Sequence, residues 1–378
     1  MSWSLKLFTV RGIPIRVHIS FLLIVGWAAY IGLSAGGGSW LRGAAFMVTF
    51  VVLLFACVVL HELGHSLVAQ LFGVRVQDIT LWPIGGVARM AKMPERPYQE
   101  FLITAAGPAT NVLLTVGLGA LALVWIGPGQ VLRLVTTPWL LNRFLSQMDG
   151  QSLLLLLTAN NAILALFNLI PAFPMDGGRL LRSVLAAFLP YPKATRTAAL
   201  VGQLFATLIG TAALLAGNIM LALVGLFVFM AAWQERQQAI TQGALAGLRV
   251  RQAMQPVGPR LHPLLTLSEA AAQAATSPQP AYLVVDGGRL VGLLTRGELI
   301  KAMQRTGPTA RVGSHLTRDV LQLRPDDLLL AAQKQLQERG AIMGIVVENG
   351  QVTGTLSLLD LARLVDMLRA HPEALPRG

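Results

Sequence analysis

The chain has 378 residues, of which 54% are hydrophobic and 13% charged, and its net charge is +12. Such fractions exclude an ordinary soluble globular protein and point to the membrane. The lone cysteine, Cys57, excludes an internal disulfide framework, and the excess of Lys and Arg is read as topology-setting charge, so no nucleic-acid partner is expected.

Residues 1–16 form a short basic stretch with Lys6, Arg11 and Arg16. Six apolar spans follow, each near the roughly 20 residues a bilayer requires. They lie at about 17–35, 43–70, 101–126, 152–171, 197–215 and 217–234, the last two meeting at the tight hairpin Ala216-Gly217-Asn218. No small-residue cleavage site follows the first span, which reads as an uncleaved anchor. An even number of spans puts both termini on one side, with Lys6, Arg75, Arg89, Lys92, Arg179, Arg182, Lys193 and Arg236. The opposite loops carry Arg42, Arg133 and Arg143. By the positive-inside rule the termini are expected in the cytoplasm.

The second span holds His61-Glu62-Leu63-Gly64-His65 in an apolar run. Four residues apart on a helix, the two imidazoles share a face and can hold one Zn²⁺, with Glu62 placed to take a proton from a metal-bound water. A pair of hydrogen-bonded histidines is the plainer alternative. A chance match of this pattern is improbable in a chain with 6 histidines, and polar groups at membrane depth are functional by default. Cys57, one turn earlier, reads as a small apolar filler.

Residues 74–81 alternate apolar and polar, which suggests a strand, and Gly85 and Gly86 follow it. An exposed edge there suits an extended peptide, and a plain interfacial hairpin fits equally. In the third span, Gly107-Pro108-Ala109-Thr110-Asn111 puts small residues and one amide at membrane depth, as close helix packing requires.

Two histidines leave a catalytic zinc one protein ligand short. Prolines 171 and 174 and glycines 177 and 178 break the fourth span around Asp176. Apart from Glu62 it is the carboxylate at that depth, and it is the candidate third ligand, with a helix-end cap or a partner for Arg179 as alternatives. Asn168 is placed to polarise a substrate carbonyl, while Asn160 and Asn161 are expected to bridge helices.

After Gln234 the sequence turns soluble and α/β, and it repeats. Residues 284–295 align without gaps to 346–357, an offset of 62 (354 − 292). Each copy reads as strand, glycine turn, strand, then a helix opened by Thr295 or Ser357.

His61-Glu62-Leu63-Gly64-His65 in one span, with Asn168, Pro171, Pro174, Asp176 and Gly177 in a later one, resembles the site-2 protease family of intramembrane zinc metalloproteases. Gly85-Gly86 and Gly107-Pro108-Ala109-Thr110-Asn111 match further motifs of that family between them. The resemblance covers roughly residues 1–235. It implies that His61, His65 and Asp176 hold one zinc, that Glu62 activates water with Asn168 assisting, and that Gly85, Gly86 and Asn111 meet the substrate. The repeat resembles a tandem pair of CBS domains, modules that often bind adenine nucleotides such as ATP, ADP or AMP. Ser357-Leu358-Leu359-Asp360 fits their ribose-contacting Ser/Thr-x-x-Asp element, whereas Thr295-Arg296-Gly297-Glu298 carries Glu in place of Asp.

The expected fold class is therefore a polytopic α-helical membrane protein of about six transmembrane helices with a small membrane-associated β element, plus a soluble α/β CBS-pair domain. The domains expected are 1–235, a linker at 236–249, and 250–378 with copies at about 250–305 and 312–370. The expected function is cleavage of the transmembrane segment of another protein at a cell membrane, with the CBS pair cytoplasmic, nucleotide-responsive and able to form a homodimer. The rivals are a CBS-regulated metal transporter or channel, and a binding protein that has lost catalysis.

Overall fold

A computed structural model describes residues 3–35, 39–83, 85–90, 94, 96–276 and 279–370. The chain divides into two units, Met1–Ala239 and Ile240–Gly378.

The first unit opens with a β-hairpin, β1 (Ser4–Val10) and β2 (Ile13–His18), followed by helices α1 (Phe21–Ala35) and α2 (Trp40–Leu71). Strands β3 (Val76–Trp82) and β4 (Gly85–Met90) precede the long α3 (Pro97–Ile126). One sheet runs β1-β2-β3-β4, with β2 and β3 parallel and the other neighbours antiparallel. The first apolar span therefore starts later than expected. Residues 13–18 alternate with a period of two, burying Ile13 and Ile15, and this keeps them in the sheet. At 15 residues, α1 rises about 22 Å, less than the others.

Asp78 on β3 lies opposite Arg89 on β4 and is nearly fully buried. Its carboxylate accepts hydrogen bonds from Arg89, which hold it below the usual carboxylate range, and Arg16 of β2 lies 3.7 Å away. Three strands are thereby tied by one charge cluster.

After α3 come two short helices, α4 (Pro128–Thr136) and α5 (Pro138–Leu145), both opened by proline in the first turn. They lie between the expected spans 101–126 and 152–171. Their buried Leu134 and Phe144 pack with Ala122, Ile126, Leu154 and Leu155 of the flanking helices. Helix α6 (Gly150–Asn168) is capped by Asp149, whose side chain accepts from the Ser152 N–H at 2.8 Å. Asn160 and Asn161 donate to the Leu156 and Leu157 carbonyls of their own helix, rather than bridging to a neighbour as expected.

The chain then turns through residues 169–175 and restarts as α7 (Asp176–Ala186), followed by α8 (Tyr191–Leu215) and α9 (Ile219–Leu245). The α8–α9 hairpin matches expectation: Gly217 has φ +70°, and the Asn218 side chain accepts from the Leu221 N–H. The stretch 236–249, expected as a linker, is helical through Leu245, because no proline interrupts it.

Among the described residues, α2, α3, α6, α8 and α9 are long and apolar enough to cross a membrane. Large apolar side chains such as Leu23, Val124 and Leu215 face outward, while His61, Asn111, Asn161 and Asp176 are buried. That polarity suits lipid surroundings, where backbone bonds close within helices and polar groups turn inward.

The second unit holds the repeat. Copy one comprises β6 (Arg260–Leu261), α10 (Leu267–Ala275), β7 (Ala281–Asp286), β8 (Arg289–Thr295) and α11 (Arg296–Thr306), with β5 (Gln255–Pro256) before it. Copy two comprises β9 (Gln322–Leu323), α12 (Leu329–Glu338), β10 (Met343–Glu348), β11 (Gln351–Ser357) and α13 (Leu358–Ala370). The 62-residue offset holds for every one of these starts, from β6 to β9 (322 − 260) through α11 to α13 (358 − 296). Even the bulge repeats, between Val284 and Val285 and between Val346 and Val347. Both hairpin turns use two residues with positive φ, Gly287-Gly288 and Asn349-Gly350, as a two-residue turn between twisted strands demands.

Leu294 and its counterpart Leu356 are fully buried in separate cores. Leu294→Ala and Leu356→Ala are each expected to cost about 2–5 kcal/mol. Thermal unfolding of the full chain, followed by the transition of this unit, checks both.

Candidate metal centre

Helix α2 presents three rows of residues four apart. Val51, Phe55, Val59 and Leu63 pack on Ile13, Ile15, Ile79 and Leu81 of the sheet. Val58 and Glu62 lie beside β4, since a Cβ at Gly86 would come within 2.9 Å of Glu62 Cγ and 3.0 Å of Val58 Cγ1. His61 and His65 face α3 and the start of α7.

The two histidines and Asp176 are the group among the described residues that could hold a metal ion. His65 Nε2 lies 3.1 Å from His61 Nε2 and 3.2 Å from Asp176 Oδ2, and His61 Nε2 lies 3.3 Å from the same oxygen. Four tetrahedral ligands at zinc distances stand about 3.3 Å apart, so this triangle and its two-nitrogen, one-oxygen donor set fit zinc. His65 Nδ1 donates to the Ile103 carbonyl at 2.8 Å. A carbonyl can only accept, so the proton sits on Nδ1 and the Nε2 lone pair points into the triangle.

Glycines let these parts meet. A Cβ at Gly107 of α3 would lie 2.1 Å from His65 Nε2 and 2.8 Å from His61 Cε1, so the imidazoles occupy the space a side chain would fill. Gly64 meets Ala106 and Thr110 of α3 in the same way, and Gly177 and Gly178 abut the carbonyls and backbone of residues 169–173. Asp176 proves to be the first residue of a new helix, not the cap of an ending one. There its carboxylate sits at the positive end of the α7 dipole.

The remaining expected residues fall as follows. Asn168 is the last residue of α6, half-buried, at the start of the turn that leads to Asp176. Asn111 is buried one turn beyond Gly107, and its Oδ1 has no hydrogen-bond partner among the described residues. Gly85 and Gly86 open β4, whose outer edge is the end of the sheet among the described residues. In the second unit, Ser357 and Asp360 form a reciprocal helix cap: the Ser357 N–H and hydroxyl donate to Asp360 Oδ2 at 2.9 and 2.6 Å, and the Asp360 N–H donates to Ser357 Oγ at 3.2 Å. Thr295 and Glu298 form the same box, and the Thr317 hydroxyl takes the other Glu298 oxygen at 2.7 Å. Burial pushes the Glu298 carboxyl up, but these donors outweigh it and hold it below its usual range.

Glu100, Arg182 and Glu235 form a further cluster that joins α3, α7 and α9 by hydrogen bonds, although the sequence marks Arg182 only as a topology charge. The signal available was an arginine six residues after Asp176, in a helix too short to cross a bilayer.

Residues 49–212 match the family model of peptidase family M50, and residues 250–305 and 312–366 match that of the CBS domain. A zinc metalloprotease of Methanocaldococcus jannaschii is 33% identical over 373 residues, 99% of either chain. Stage IV sporulation protein FB of Bacillus subtilis is 29% identical over 179 residues, 47% of this chain and 54% of that protein. The solved site-2 protease from Methanocaldococcus jannaschii is 37% identical with a TM-score of 0.42, covering 62% of this chain and 95% of that one.

Gly107→Ala is expected to displace the imidazoles and abolish metal retention. Gly119→Ala on the same helix, whose Cβ would meet only Thr158 Cγ2 at 3.6 Å, should leave it intact. Metal content of the two purified variants, measured by atomic emission, checks the contrast.

Proposed function

Since this chain belongs to peptidase family M50 and is a zinc metalloprotease of the site-2 kind with a tandem CBS pair, we propose that His61, His65 and Asp176 hold its zinc and that Glu62 moves the proton during cleavage of a substrate's transmembrane segment. The observation that carries this reading is the 3.1–3.3 Å ligand triangle at a membrane helix. Zinc bound there supplies Lewis-acid activation of a water whose pKa falls towards neutrality. Glu62 accepts the water's proton and delivers it to the leaving amine. Asn168 donates its amide N–H to the scissile carbonyl oxygen as charge develops on it.

The substrate must reach Glu62 as extended chain, since amides within a helix are shielded and already hydrogen-bonded. The outer edge of β4, the end of the sheet among the described residues, offers its backbone groups to that segment, and Gly86, lacking a side chain, lets Glu62 stand against this strand. The orphaned Asn111 Oδ1 accepts from one of the amides freed by unwinding. Both termini and the CBS pair lie in the cytoplasm on this reading, following the charge asymmetry of the loops.

The CBS pair is proposed to bind an adenine nucleotide at copy two. Asp360 uses one oxygen, Oδ2, for its cap, and among the described residues Oδ1 is left for a ribose hydroxyl. In copy one both Glu298 oxygens are engaged. The cap itself is a structural reason for the motif, so loss of the carboxylate must be separated from loss of the helix start.

Glu62→Gln is expected to lower cleavage of a single-span substrate at least a thousandfold with zinc content unchanged, because Gln cannot accept the proton. Asp176→Ala should lower both activity and zinc content. Equal turnover in Glu62→Gln, or full zinc in Asp176→Ala, rejects the assigned roles. For the nucleotide, Asp360→Asn keeps a cap-competent side chain and is expected to weaken ATP or AMP binding about tenfold by calorimetry on the full chain, while Glu298→Gln changes it little.

A further inference from the structure

Arg182 is 7% exposed in the middle of α7. Its Nε donates to Glu100 Oε1 at 2.8 Å, its Nη2 donates to the same oxygen, and its Nη1 donates to Glu235 Oε1 at 2.9 Å. The guanidinium carbon also stands 5.3 Å from the centre of the Phe173 ring and 5.1 Å from that of Tyr191. Glu100 is fully buried, and its Oε2 has no hydrogen-bond partner among the described residues. A buried ion pair of this kind contributes little net stability over apolar residues of the same volume, because desolvation offsets the attraction. Its value has to be sought in geometry.

The two halves of the ligand triangle are both referenced to α3. Three residues after Glu100, the Ile103 carbonyl fixes the His65 ring, and at Gly107 both imidazoles rest against the helix. Asp176 reaches the triangle from the other side, on α7, six residues before Arg182. The same Arg182 side chain grips Glu100 of α3 and lies over Phe173, three residues before Asp176. One side chain therefore joins the helix that orients the histidines to the helix and turn that present the carboxylate.

We propose that Arg182 is a positioning residue that acts through Glu100 to set the distance between Asp176 and the two histidines, an inference that rests on these three residues forming the metal site. Guanidinium suits this task because its planar fork holds two carboxylates in fixed directions, which an ammonium does not. Loss of the fork loosens α7 against α3 and leaves the metal held by the histidines with a poorly placed oxygen.

The test uses the full chain in detergent, stripped of metal and titrated with Co²⁺, whose d–d bands report ligand geometry without any turnover. Wild type should bind Co²⁺ with tetrahedral bands, and Asp176→Ala should lose them; no Co²⁺ binding by wild type would reject the metal site itself, and this inference with it. The double variant Arg182→Met, Glu100→Leu removes the buried pair together, leaves the one-third-exposed Glu235 to solvent, and is expected to unfold near the wild-type temperature. It should bind Co²⁺ about 10–100-fold more weakly, with shifted bands, as loss of supporting contacts does at other metal sites. Arg182→Lys, which keeps the charge, should fall between the two. Wild-type affinity and bands in a folded double variant would overturn the proposal. If the double variant does not fold, Arg182→Lys decides: unchanged affinity and bands overturn it, and weakened binding with altered bands upholds it.

Discussion

Two imidazoles and a carboxylate must meet within about 3.3 Å in a place where lipid surrounds the helices and water is scarce. Each of these groups costs free energy to bury unless a partner takes its polarity. Most other features of the first unit serve that meeting. Gly64 and Gly107 bring α2 and α3 close enough for the rings to fill the gap, and Gly177 and Gly178 let α7 start hard against the turn before it. The four-stranded sheet then covers the apolar row of α2 and leaves Glu62 beside β4.

The meeting of these three side chains was legible in the sequence because it rests on spacing and on a break in the helix. His61 and His65 are four apart, and helical periodicity alone puts them together. Asp176 was legible through breakage: prolines and glycines in an apolar run announce exposed backbone, and a carboxylate there needs a reason. The repeat was legible because its turns demand particular residues at fixed positions. What stayed hidden depends on long-range pairing. The β1–β2 hairpin lies in a basic stretch whose alternation is short, and its strand character follows from Ile13 and Ile15 meeting Ile79, more than sixty residues later in the chain. The α4 and α5 helices are too short to register as spans. Glu100, Arg182 and Glu235 sit in three separate helices, and no local pattern relates them.

The Ser/Thr-x-x-Asp/Glu elements show how one motif can carry two explanations. Seen as sequence, they mark candidate ribose contacts. In the structure they are capping boxes that start α11 and α13, and Thr266 with Glu269 makes a third at α10. The box alone accounts for a hydroxyl and a carboxylate three apart. The two copies nevertheless differ in chemistry, because Thr317 engages Glu298 whereas among the described residues Asp360 bonds within its own cap.

If substrate docks at the outer edge of β4, as proposed, selectivity follows from that mode of binding. Backbone pairing is indifferent to side chains, so such an edge accepts any segment that arrives extended. What it does not provide is the work of unwinding a helix in lipid, where every broken backbone bond goes unanswered until it finds a new partner. Discrimination then falls on the incoming segment: one carrying glycine, proline or asparagine near the scissile bond already spends part of its time frayed, while a leucine-rich one stays wound. On the proposed reading, two partners with identical contacts to β4 would differ in susceptibility through the helix–coil balance of the segment to be cut.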